Sequence, residues 1–403
     1  MFKKDCRCCE GTNLKSVIDF GIIPLANNLL DSFIETEKSF PLELMYCEDC
    51  HNCQLSYSVD SKVMFDNYLY VSSTTEQMRL HFKYAATKIV EEYKLNSESL
   101  VVEIGSNDGV FLSPVQDKNV KICGIEPAKN ISALANEKGL HTYNGYCDQE
   151  AVGYVLSNFG KADVVTAFNV FAHADNLKLI LDSAFEMLKE DGVFIVENQW
   201  LLKTMHDLTF DNIYHEHFNY WSVTSMNNFV KRNGYYVQKV ERFNTHGGSI
   251  RVHISRKEVK SDSLYHFLEL ENCHGLTTFE AYERFGKNIQ KCKRNTVAAF
   301  DELQAKYGKV VGYGSPAKAT TLLNYFGIDH NYLSFIIEDN PLKFEKIVPG
   351  IKVKITSKEL AEKIVPKAIV VFAWNFYDEI LKNNKVFTDM NVPFFNIKDL
   401  QNG

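Results

Sequence analysis

Short apolar runs alternate with helical segments along most of this chain, in two separate series. The first series has four runs, at 100–104, 120–125, 163–167 and 193–197. The second has three, at 309–312, 333–337 and 368–372. Such alternation is typical of a doubly wound parallel sheet covered by helices on both faces. The sequence therefore predicts an α/β protein with two Rossmann-like sheets, one central and one C-terminal.

The length of the chain limits its organisation further. At 403 residues it is too long for one ordinary hydrophobic core, so two or three domains are expected. A cysteine-rich segment precedes the first series, and a polar, amphipathic stretch over 279–306 precedes the second. Apolar residues at helical spacing predict a helix over 74–95. These changes of pattern predict three domains, with bounds 1–72, 73–255 and 256–403.

Composition excludes several kinds of partner. A net charge of −7 without an arginine-rich stripe argues against nucleic-acid binding. No apolar run approaches the length of a membrane helix, and the N-terminus lacks the basic and apolar regions of a signal peptide. We therefore expect a cytoplasmic protein without membrane or nucleic-acid partners, either a monomer or a small homo-oligomer.

Six of the ten cysteines lie within the first 53 residues. In a cytosolic chain, clustered cysteines indicate metal ligands or reactive thiols and not disulfides. Two C-x-x-C hairpins can supply the four thiolates of a tetrahedral Zn²⁺ site, and the candidate ligands are Cys6, Cys9, Cys47 and Cys50. Cys8 leaves the set ambiguous, and Cys53 and His51 are possible substitutes. A closed four-thiolate site holds a fold together and has no open position for catalysis.

The segment from Tyr214 to His217 concentrates titratable groups between apolar residues. Tyr214, His215, Glu216 and His217 place a phenol, a carboxylate and two imidazoles in four consecutive positions. Proton abstraction needs a base near neutral pH, a group that orients it and a donor for the developing oxyanion. A metal site is one alternative, although His215 and His217 share a face only in an extended segment. A structural polar cluster is another, and acid/base chemistry is favoured over both.

A glycine turn follows the run at 100–104, with the sequence E-I-G-S-N-D-G at 103–109. The next run ends at Glu126, where an acidic residue can accept both hydroxyls of a ribose. A dinucleotide site needs G-x-G-x-x-G, and this turn lacks the second and third glycines. Glu103 and Asp108 instead suit the cationic amino acid end of S-adenosylmethionine. A purely structural turn is the remaining alternative. The candidate cofactor-binding residues of this turn are Glu103, Gly105, Asn107, Asp108 and Gly109.

A second glycine turn, G-Y-G-S-P-A-K at 312–318, follows a run of the C-terminal series and opens a helix. A helix N-terminus with proline in its first turn suits an anion, and a diphosphate fits there. Gly314, Ser315 and Lys318 are the candidates, although Lys318 could also be a solvated helix residue. Two nucleotide sites in one chain make sense if one binds a donor and the other binds the handle of an acceptor.

Taken together, these motifs resemble those of the S-adenosylmethionine-dependent C-methyltransferases of nucleotide-sugar biosynthesis, which act on keto-deoxysugars. The resemblance is carried by the two C-x-x-C hairpins, E-I-G-S-N-D-G, G-I-E-P-A at 124–128, F-N-V-F-A-H at 168–173 and Y-H-E-H at 214–217. G-Y-G-S-P-A-K and E-D-N-P-x-K at 338–343 match the terminal domain of that family. The resemblance implies a zinc-binding module, a methyltransferase domain and a nucleotide-sugar-binding domain, in that order.

The resemblance also implies roles for single residues. Tyr214, Glu216 and His217 would line the sugar site, where His173 joins them and Tyr70 closes the site. Gly105, Glu126 and Asn169 would carry the methyl donor. Asp339 and Lys343 would continue the second pocket, and Arg251, after a glycine-rich turn, would face the diphosphate or the sugar.

A sugar carbon becomes nucleophilic only after it loses a proton, which is feasible beside a ketone. We expect His217 to remove that proton and Glu216 to orient His217. Tyr214 or His173 would donate a hydrogen bond to the enolate oxygen. The resemblance implies a nucleotide-linked 4-keto sugar methylated at C3. Two other classes stay open at this point: a nicotinamide-dependent nucleotide-sugar oxidoreductase or epimerase, and a non-catalytic module that binds zinc and a nucleotide.

Overall fold

The computed structural model describes residues 1–60, 64 and 71–402, which fall into two compact units. Unit 1 contains the described residues of Met1–Lys15, Met45–Asp207 and Glu216–Ala281. Unit 2 contains those of Ser16–Leu44, Leu208–His215 and Tyr282–Gly403. A division by compactness does not test the three predicted domains, whose bounds stay a prediction.

The N-terminal segment supplies strands β1 (Leu14–Pro24), β2 (Ser39–Cys47) and β3 (Cys53–Leu55). Most of β1 and β2 belongs to unit 2, whereas β3 belongs to unit 1. The other strands of unit 1 are β4 (Leu100–Ile104), β5 (Lys121–Glu126), β6 (Thr142–Asn144), β7 (Ala162–Phe168), β8 (Leu188–Gln199), β9 (Asn219–Tyr220), β10 (Tyr236–Phe243) and β11 (Ser249–Ser255). Its helices are α1 (Glu76–Glu92), α2 (Leu112–Gln116), α3 (Lys129–Glu137), α4 (Gln149–Asn158), α5 (Leu177–Met187), α6 (Leu201–His206), α7 (Val223–Arg232) and α8 (Asp262–Cys273).

The main sheet of unit 1 has seven strands in the order β10-β11-β8-β7-β4-β5-β6. Strands β4 to β8 run parallel, while β11 is antiparallel to both β8 and β10. All five residues of β4 are buried, as expected for a strand covered on both faces. Since the carboxyl ends of β4, β5 and β7 meet at one edge, the loops that follow them form a common site.

Helix α1 covers one face of this sheet. Thr75 caps it by accepting the Met78 N–H, and Met78, Phe82, Ala85 and Ile89 lie buried along one side. These are apolar positions from which the helix over 74–95 is predicted. Their burial confirms that the apolar residues at helical spacing form the side of the helix that faces the core.

Unit 2 has its own elements after the long helix α9 (Phe279–Tyr307), which begins at the end of unit 1. The strands are β12 (Val310–Tyr313), β13 (Leu333–Ile337), β14 (Ile347–Val348), β15 (Val353–Thr356), β16 (Ile369–Val371) and β17 (Phe394–Asn396). The helices are α10 (Ala317–Phe326), α11 (Lys358–Ile364), α12 (Tyr377–Asn383), α13 (Lys385–Asp389) and α14 (Ile397–Asn402).

The sheet of unit 2 has six strands in the order β14-β15-β13-β12-β16-β17. All its pairs are parallel except β14 with β15. The turns after β12, β13 and β16 therefore lie at one edge of this sheet. The predicted α/β class, with two parallel-rich sheets and an N-terminal cysteine cluster, is confirmed.

Candidate active site and zinc centre

The two cysteine hairpins have the same backbone geometry. In the first, the Glu10 N–H donates to the Cys6 carbonyl and the Cys6 N–H donates to the Gly11 carbonyl, both at 2.8 Å. In the second, His51 and Asn52 bond to Cys47 in the same way, at 2.9 and 2.8 Å. Glu10 and His51, at equivalent positions, both have a positive φ, of 62° and 64°. Each hairpin therefore turns back sharply after its second cysteine.

These turns bring four sulfur atoms together. The Sγ atoms of Cys6, Cys9, Cys47 and Cys50 all lie within 4.8 Å of one another, with Cys6 to Cys50 at 3.5 Å and Cys9 to Cys47 at 3.6 Å. A tetrahedral zinc with Zn–S bonds near 2.3 Å needs sulfurs about 3.8 Å apart. Hydrogen bonds from Cys47 and Cys50 hold the pKa of Cys6 below its usual range. The four residues thus fit a structural zinc ion.

The other residues that leave the ligand set open, Cys8, His51 and Cys53, are less suited to bind the metal. The His51 Nδ1 lies 2.6 Å from the Tyr46 hydroxyl. Burial raises the pKa of Cys8 and of Cys53, which favours the neutral thiol over the thiolate that binds a metal. Within residues 1–60, 64 and 71–402, the four-cysteine set is the one group of three or more His, Cys, Asp or Glu side chains that could hold a metal ion.

The first glycine turn sits at the carboxyl end of β4. Gly105 has φ of +66°, and a Cβ there would lie 2.4 Å from Val170 Cγ2, so both conformation and space require glycine. Gly109 has φ of +79°, and its Cβ would lie 2.2 Å from Leu140 Cδ1. Asn107, between them, also has a positive φ, of 48°. Glycine at these two positions therefore lets the turn adopt its conformation and pack closely against Val170 and Leu140.

Glu126, the last residue of β5, holds this turn in place. Its Oε2 accepts the Asn107 N–H at 2.9 Å, and its Oε1 accepts the Ala128 N–H at 2.8 Å. Burial raises the pKa of Glu126, while these two hydrogen bonds oppose the rise. The acidic strand end is thus beside the turn, and its predicted contact with a ribose stays a prediction.

Two more buried carboxylates surround the turn. Glu103 is 3% exposed and Asp108 is 1% exposed. Burial and the charges of Glu126 and Asp108 raise the pKa of Glu103 well above its usual range. Lys138 Nζ lies 2.8 Å from Asp108 Oδ2. Glu103 Oε2 and Asp108 Oδ1 have no hydrogen-bond partner among the described residues, so the site fits a ligand with positive charge and N–H donors.

Asn169 is the first residue of the loop after β7. It has a positive φ of 57°, and its N–H donates to the Glu197 carbonyl at 2.7 Å. Val170, the next residue, forms the wall against Gly105. The predicted role of Asn169 as a cofactor contact stays a prediction, and its loop borders the turn.

His173, on the same loop, forms a pair with His217. The two imidazole rings are 4.8 Å apart between centroids, at 75° to one another. The pair is fixed by Asn219, whose N–H donates to the Ala172 carbonyl at 3.1 Å and whose Nδ2 donates to the Ala174 carbonyl at 2.8 Å. Burial lowers the pKa of His173 to about 4, against a hydrogen bond with the Glu216 backbone that raises it. His173 is therefore neutral at pH 7.

The rest of the predicted catalytic segment is divided between the units. Glu216 is 7% exposed and belongs to unit 1, as His217 does. Tyr214 and His215 belong to unit 2, where the His215 Nε2 lies 3.2 Å from the Phe40 carbonyl oxygen. Tyr70, predicted to close the site, lies outside the described residues.

The second glycine turn repeats the first within unit 2. Gly314 has φ of +83°, and a Cβ there would lie 2.7 Å from the Ala373 Cβ. The Ser315 N–H donates to Glu338 Oε2 at 2.9 Å, and Glu338 directly follows β13. Lys343 Nζ donates to the Ser315 carbonyl at 2.7 Å. Asp339 accepts the Tyr313 hydroxyl at 2.9 Å. Four predicted substrate residues thus lie around one turn.

Lys318, in the first turn of α10, faces an aromatic side chain. Its Nζ lies 4.4 Å from the centroid of the Trp374 ring and 3.3 Å from Asn375 Oδ1. Lys398 Nζ lies 5.2 Å from the same ring. The indole N–H of Trp374 donates to Asp211 at 2.7 Å. Two ammonium groups near a half-buried indole form a cationic, partly aromatic edge beside the turn.

Arg251 has a different environment from the one predicted. It is 1% exposed, in β11, and its Nε and Nη2 donate to Glu197 Oε2 at 2.9 and 2.6 Å. His81 Nε2 lies 2.7 Å from the other oxygen of Glu197. The guanidinium is therefore engaged by a buried carboxylate in unit 1, and its predicted contact with substrate stays a prediction.

Sequence reasoning missed several residues of these sites. Glu338 carries the same signal as Glu126, an acidic residue at a strand end, and could have been found by that rule. Trp374 follows the third apolar run of its series, at the carboxyl edge where ligands bind. Arg7 and Asp175 are far apart in the sequence and come together only in the fold, so no local pattern predicts their contact.

Three family models match the chain in succession. They are described as "Putative zinc binding domain" over residues 6–65, "Methyltransferase domain" over 76–240 and "C-methyltransferase C-terminal domain" over 244–397. With the glycine turn, Glu126 and the four cysteines, they define an S-adenosylmethionine-dependent methyltransferase with a structural zinc site.

One curated relative extends over almost the whole chain. C-methyltransferase NovU of Streptomyces niveus is 30% identical over 390 residues, which cover 96% of this chain and 93% of that protein. The chain therefore belongs to the C-methyltransferases that carry an N-terminal zinc-binding domain. It is an enzyme that takes its methyl group from S-adenosylmethionine.

Solved structures resemble parts of the chain. A magnesium protoporphyrin IX methyltransferase from Synechocystis with bound S-adenosylhomocysteine is 12% identical, covers 44% of this chain and 83% of its own, and has a TM-score of 0.35. A methyltransferase from Archaeoglobus fulgidus is 12% identical, covers 43% and 94%, and has a TM-score of 0.34. Because both scores lie below 0.5, the family assignment rests on the sequence comparisons.

In the part of the chain that the structure describes, no helix is both long and apolar enough to span a membrane.

Proposed function

We propose that this C-methyltransferase acts on a nucleotide-linked 4-keto sugar and methylates the carbon beside the ketone, at C3. The observation that carries the proposal is a pair of imidazoles in unit 1, His173 on the loop after β7 and His217 just before β9, whose ring centroids are 4.8 Å apart. Methyl transfer to oxygen or nitrogen can use a lone pair, whereas a carbon must first lose a proton. Two adjacent imidazoles, one of which can act as a general base, therefore suit a carbon acceptor.

The methyl donor binds at the Gly105 turn of unit 1 in this proposal. Glu126 suits the ribose hydroxyls, and the buried Glu103 and Asp108 suit the charged amino acid end. Gly105 allows the positive φ of the turn and its close packing against Val170. Bound there, S-adenosylmethionine supplies an electrophilic methyl group. The residues of the turn hold and orient the donor, and this fixed orientation supplies much of the acceleration expected for in-line transfer.

His217 removes the proton in this proposal. Its ring neighbour His173 is neutral at pH 7 because burial lowers the His173 pKa to about 4. A neutral neighbour does not oppose the positive charge that His217 gains when it takes the proton. Glu216 precedes His217 and stabilises the resulting imidazolium. His173 or Tyr214 donates a hydrogen bond to the enolate oxygen.

The nucleotide handle of the acceptor binds in unit 2. The Gly314 turn presents the N-terminus of a ten-residue helix, and Lys318 and Lys343 bring positive charge to it. Glu338 is placed for a ribose, as Glu126 is. Charge of this sign at a glycine turn suits a diphosphate between a nucleoside and a sugar.

A panel of nucleotide-linked sugars tests the proposal. The purified protein is incubated with S-adenosylmethionine and either keto or non-keto sugars linked to dTDP, GDP, UDP or CDP. We expect a mass gain of one methyl group on a 4-keto sugar alone, with deuterium exchange from solvent at the same carbon without the donor. Methylation of oxygen or nitrogen, or exchange at no carbon of any keto sugar, contradicts the proposal.

A further inference from the structure

We infer that Arg7, inside the first cysteine hairpin, is a positioning residue for the imidazole pair of His173 and His217. The inference rests on the proposed function for the role of the two imidazoles. It goes beyond that function because it gives the zinc-binding hairpins a part in the reaction. Arg7 acts through the two loops that carry these rings.

The Arg7 guanidinium is buried and shared among three acceptors. Only 1% of its side chain is exposed. Its Nε donates to Asp175 Oδ1 at 2.9 Å, its Nη1 to the Leu55 carbonyl at 2.7 Å and its Nη2 to Ser58 Oγ at 2.7 Å. An arginine fork has rigid donor directions, so these bonds fix the segment 55–58 and the loop of Asp175 relative to the cysteine hairpin.

One branch leads to His173. Asp175 lies two residues after His173 on the loop that follows β7. Ser58 Oγ donates to Asp175 Oδ1 at 2.6 Å, and Lys3 Nζ lies 2.9 Å from Oδ2. Although burial raises the pKa of Asp175, hydrogen bonds from Ser58, Lys3 and Arg7 lower it further than burial raises it. The loop is therefore held by a charged carboxylate.

The other branch leads to His217. Phe218, the next residue, is 2% exposed, and the Arg7 Cζ lies 5.4 Å from the centroid of its ring. The Phe218 carbonyl accepts the Leu55 N–H at 2.9 Å, and the Leu55 carbonyl accepts Arg7. Arg7 thus contacts the neighbour of one imidazole and bonds to the loop of the other.

The cysteine hairpin in turn fixes Arg7. The Arg7 N–H donates to Gln54 Oε1 at 2.7 Å, and the Cys8 N–H donates to the Cys6 sulfur at 3.4 Å. Arg7 lies between two candidate zinc ligands, so the turn that binds the metal also sets the direction of its side chain. A zinc site closed to water can in this way support a reaction without touching the substrate.

Four variants separate this positioning role from general stability. Arg7→Met keeps the apolar stem and removes every donor, and Arg7→Lys keeps the charge without the fork. Asp175→Asn cuts the same link at its other end, outside the cysteine hairpins. The matched control is Arg256→Met, because Arg256 in unit 1 also donates to two carbonyls, of Lys189 and Phe185, and lies 5.2 Å from an aromatic centroid.

The ¹⁵N signals of the imidazole rings are the main measurement, recorded on zinc-loaded full-length protein without any sugar. We expect Arg7→Met and Asp175→Asn to shift the signals of His173 and His217, keep one zinc per chain and keep donor affinity. Turnover and deuterium exchange should fall about 10–100-fold, the loss typical of a small misplacement of reacting groups. KM should change little, and Arg7→Lys should recover part of the loss.

Arg256→Met should leave the ring signals and kcat as in the wild type. The inference is overturned if Arg7→Met and Asp175→Asn leave both ring signals unchanged, or if their loss of activity equals that of the control. If Arg7→Met does not fold, Asp175→Asn and Arg7→Lys decide the matter alone. Failure of the proposed function looks different, because wild-type protein would then show no turnover on keto sugars while the ring signals still respond to these variants.

Discussion

The carboxylate of Glu126 accepts the backbone N–H of Asn107 at 2.9 Å, so the end of one strand holds the glycine turn that follows its neighbour. Unit 2 contains the same arrangement, in which Glu338 accepts the Ser315 N–H at 2.9 Å. In both cases a glycine with positive φ begins the turn. The two sheets therefore build two similar glycine turns in the same way, and substitutions can test separately the ligand that we propose for each turn.

Replacing Glu126 with alanine should weaken binding of S-adenosylhomocysteine by about 1–3 kcal/mol, the loss expected for a charged hydrogen bond. Calorimetry with S-adenosylhomocysteine and with NAD measures this, and NAD should not bind. Glu338→Ala is the matched control, because it removes the equivalent carboxylate from the other turn. It should weaken binding of a nucleotide sugar and leave the donor affinity unchanged. Equal effects of both variants on both ligands would count against two separate sites.

We expect one zinc ion per chain, held by the four clustered cysteines. Metal analysis of protein purified without chelator should give a ratio near one. Cys47→Ser should abolish that zinc and strongly lower the free energy of unfolding, because binding of a structural zinc is coupled to folding. Cys273→Ser, at an exposed cysteine, should change neither. Protein that contains no zinc, or that keeps it after Cys47→Ser, contradicts this ligand set.

Much of this fold follows from local pattern. The runs at 100–104 and 333–337 coincide with β4 and β13, because the inner strands of a parallel sheet are rich in apolar residues. Strands β10 and β11 were not predicted. They carry charged residues such as Lys239, Glu241 and Arg251, which bond within the fold and hide the apolar signal. In the sequence, the charged residues of a buried ion pair cannot be told from exposed residues.

The candidate site, like the fold, can be predicted from the sequence only in part. Cys6 and Cys47 could be assigned from spacing, and Glu126 from its place at a strand end, since each signal lies within a few residues. The contact between His173 and His217 depends on hydrogen bonds from Asn219 to the loop after β7, and no periodicity reports it. The resemblance to a family could place both histidines in one site, but not the arginine that holds their loops.

His215 should make the fold sensitive to acid. Burial lowers the pKa of His215 to about 4, although hydrogen bonds to the Phe40 and Pro41 backbone oppose this. Since the folded pKa lies below the unfolded value near 6.5, the stabilisation by neutral His215 is complete above pH 6.5 and is lost as the pH falls towards 4. At 1.36 kcal/mol per pKa unit, the loss in the free energy of unfolding is at most about 3 kcal/mol.

Urea unfolding at pH 7.0, 5.5 and 4.5 measures this effect. His215→Phe should lower the slope of stability against pH in that window, whatever its effect at pH 7. Substitution of His266, which is exposed, serves as the control and should keep the wild-type slope. An unchanged slope in His215→Phe would show that other groups cause the acid sensitivity.

Lys318 should contribute charge to nucleotide binding and little to the chemical step. Lys318→Gln should raise KM for the nucleotide sugar about 10-fold and leave kcat nearly unchanged, because its contact with a diphosphate is the same in the ground and transition states. The effect should shrink at high salt. Lys306→Gln is the control, since Lys306 also lies over a ring, 5.0 Å from the Tyr307 centroid, but in α9. A kcat effect without a KM effect would contradict this role.

His217 should be the base that removes the sugar proton. Loss of a positioned base typically costs about 10²–10⁴-fold in rate. His217→Ala should therefore keep its fold, its zinc and its affinity for S-adenosylhomocysteine, and should lose both methyl transfer and deuterium exchange at the methylated carbon. Exchange is the sharper measurement, because it reports proton removal without the donor.

His173→Ala and Tyr214→Phe distinguish the base from the groups that stabilise the enolate. Neutral His173 should act as a donor, so its loss should slow exchange less than the loss of His217 does. Added imidazole should restore exchange in His217→Ala, because a small base can occupy the space that the side chain leaves. If His217→Ala exchanges at the wild-type rate while His173→Ala or Tyr214→Phe does not, the proton is taken by one of those residues and His217 has another role.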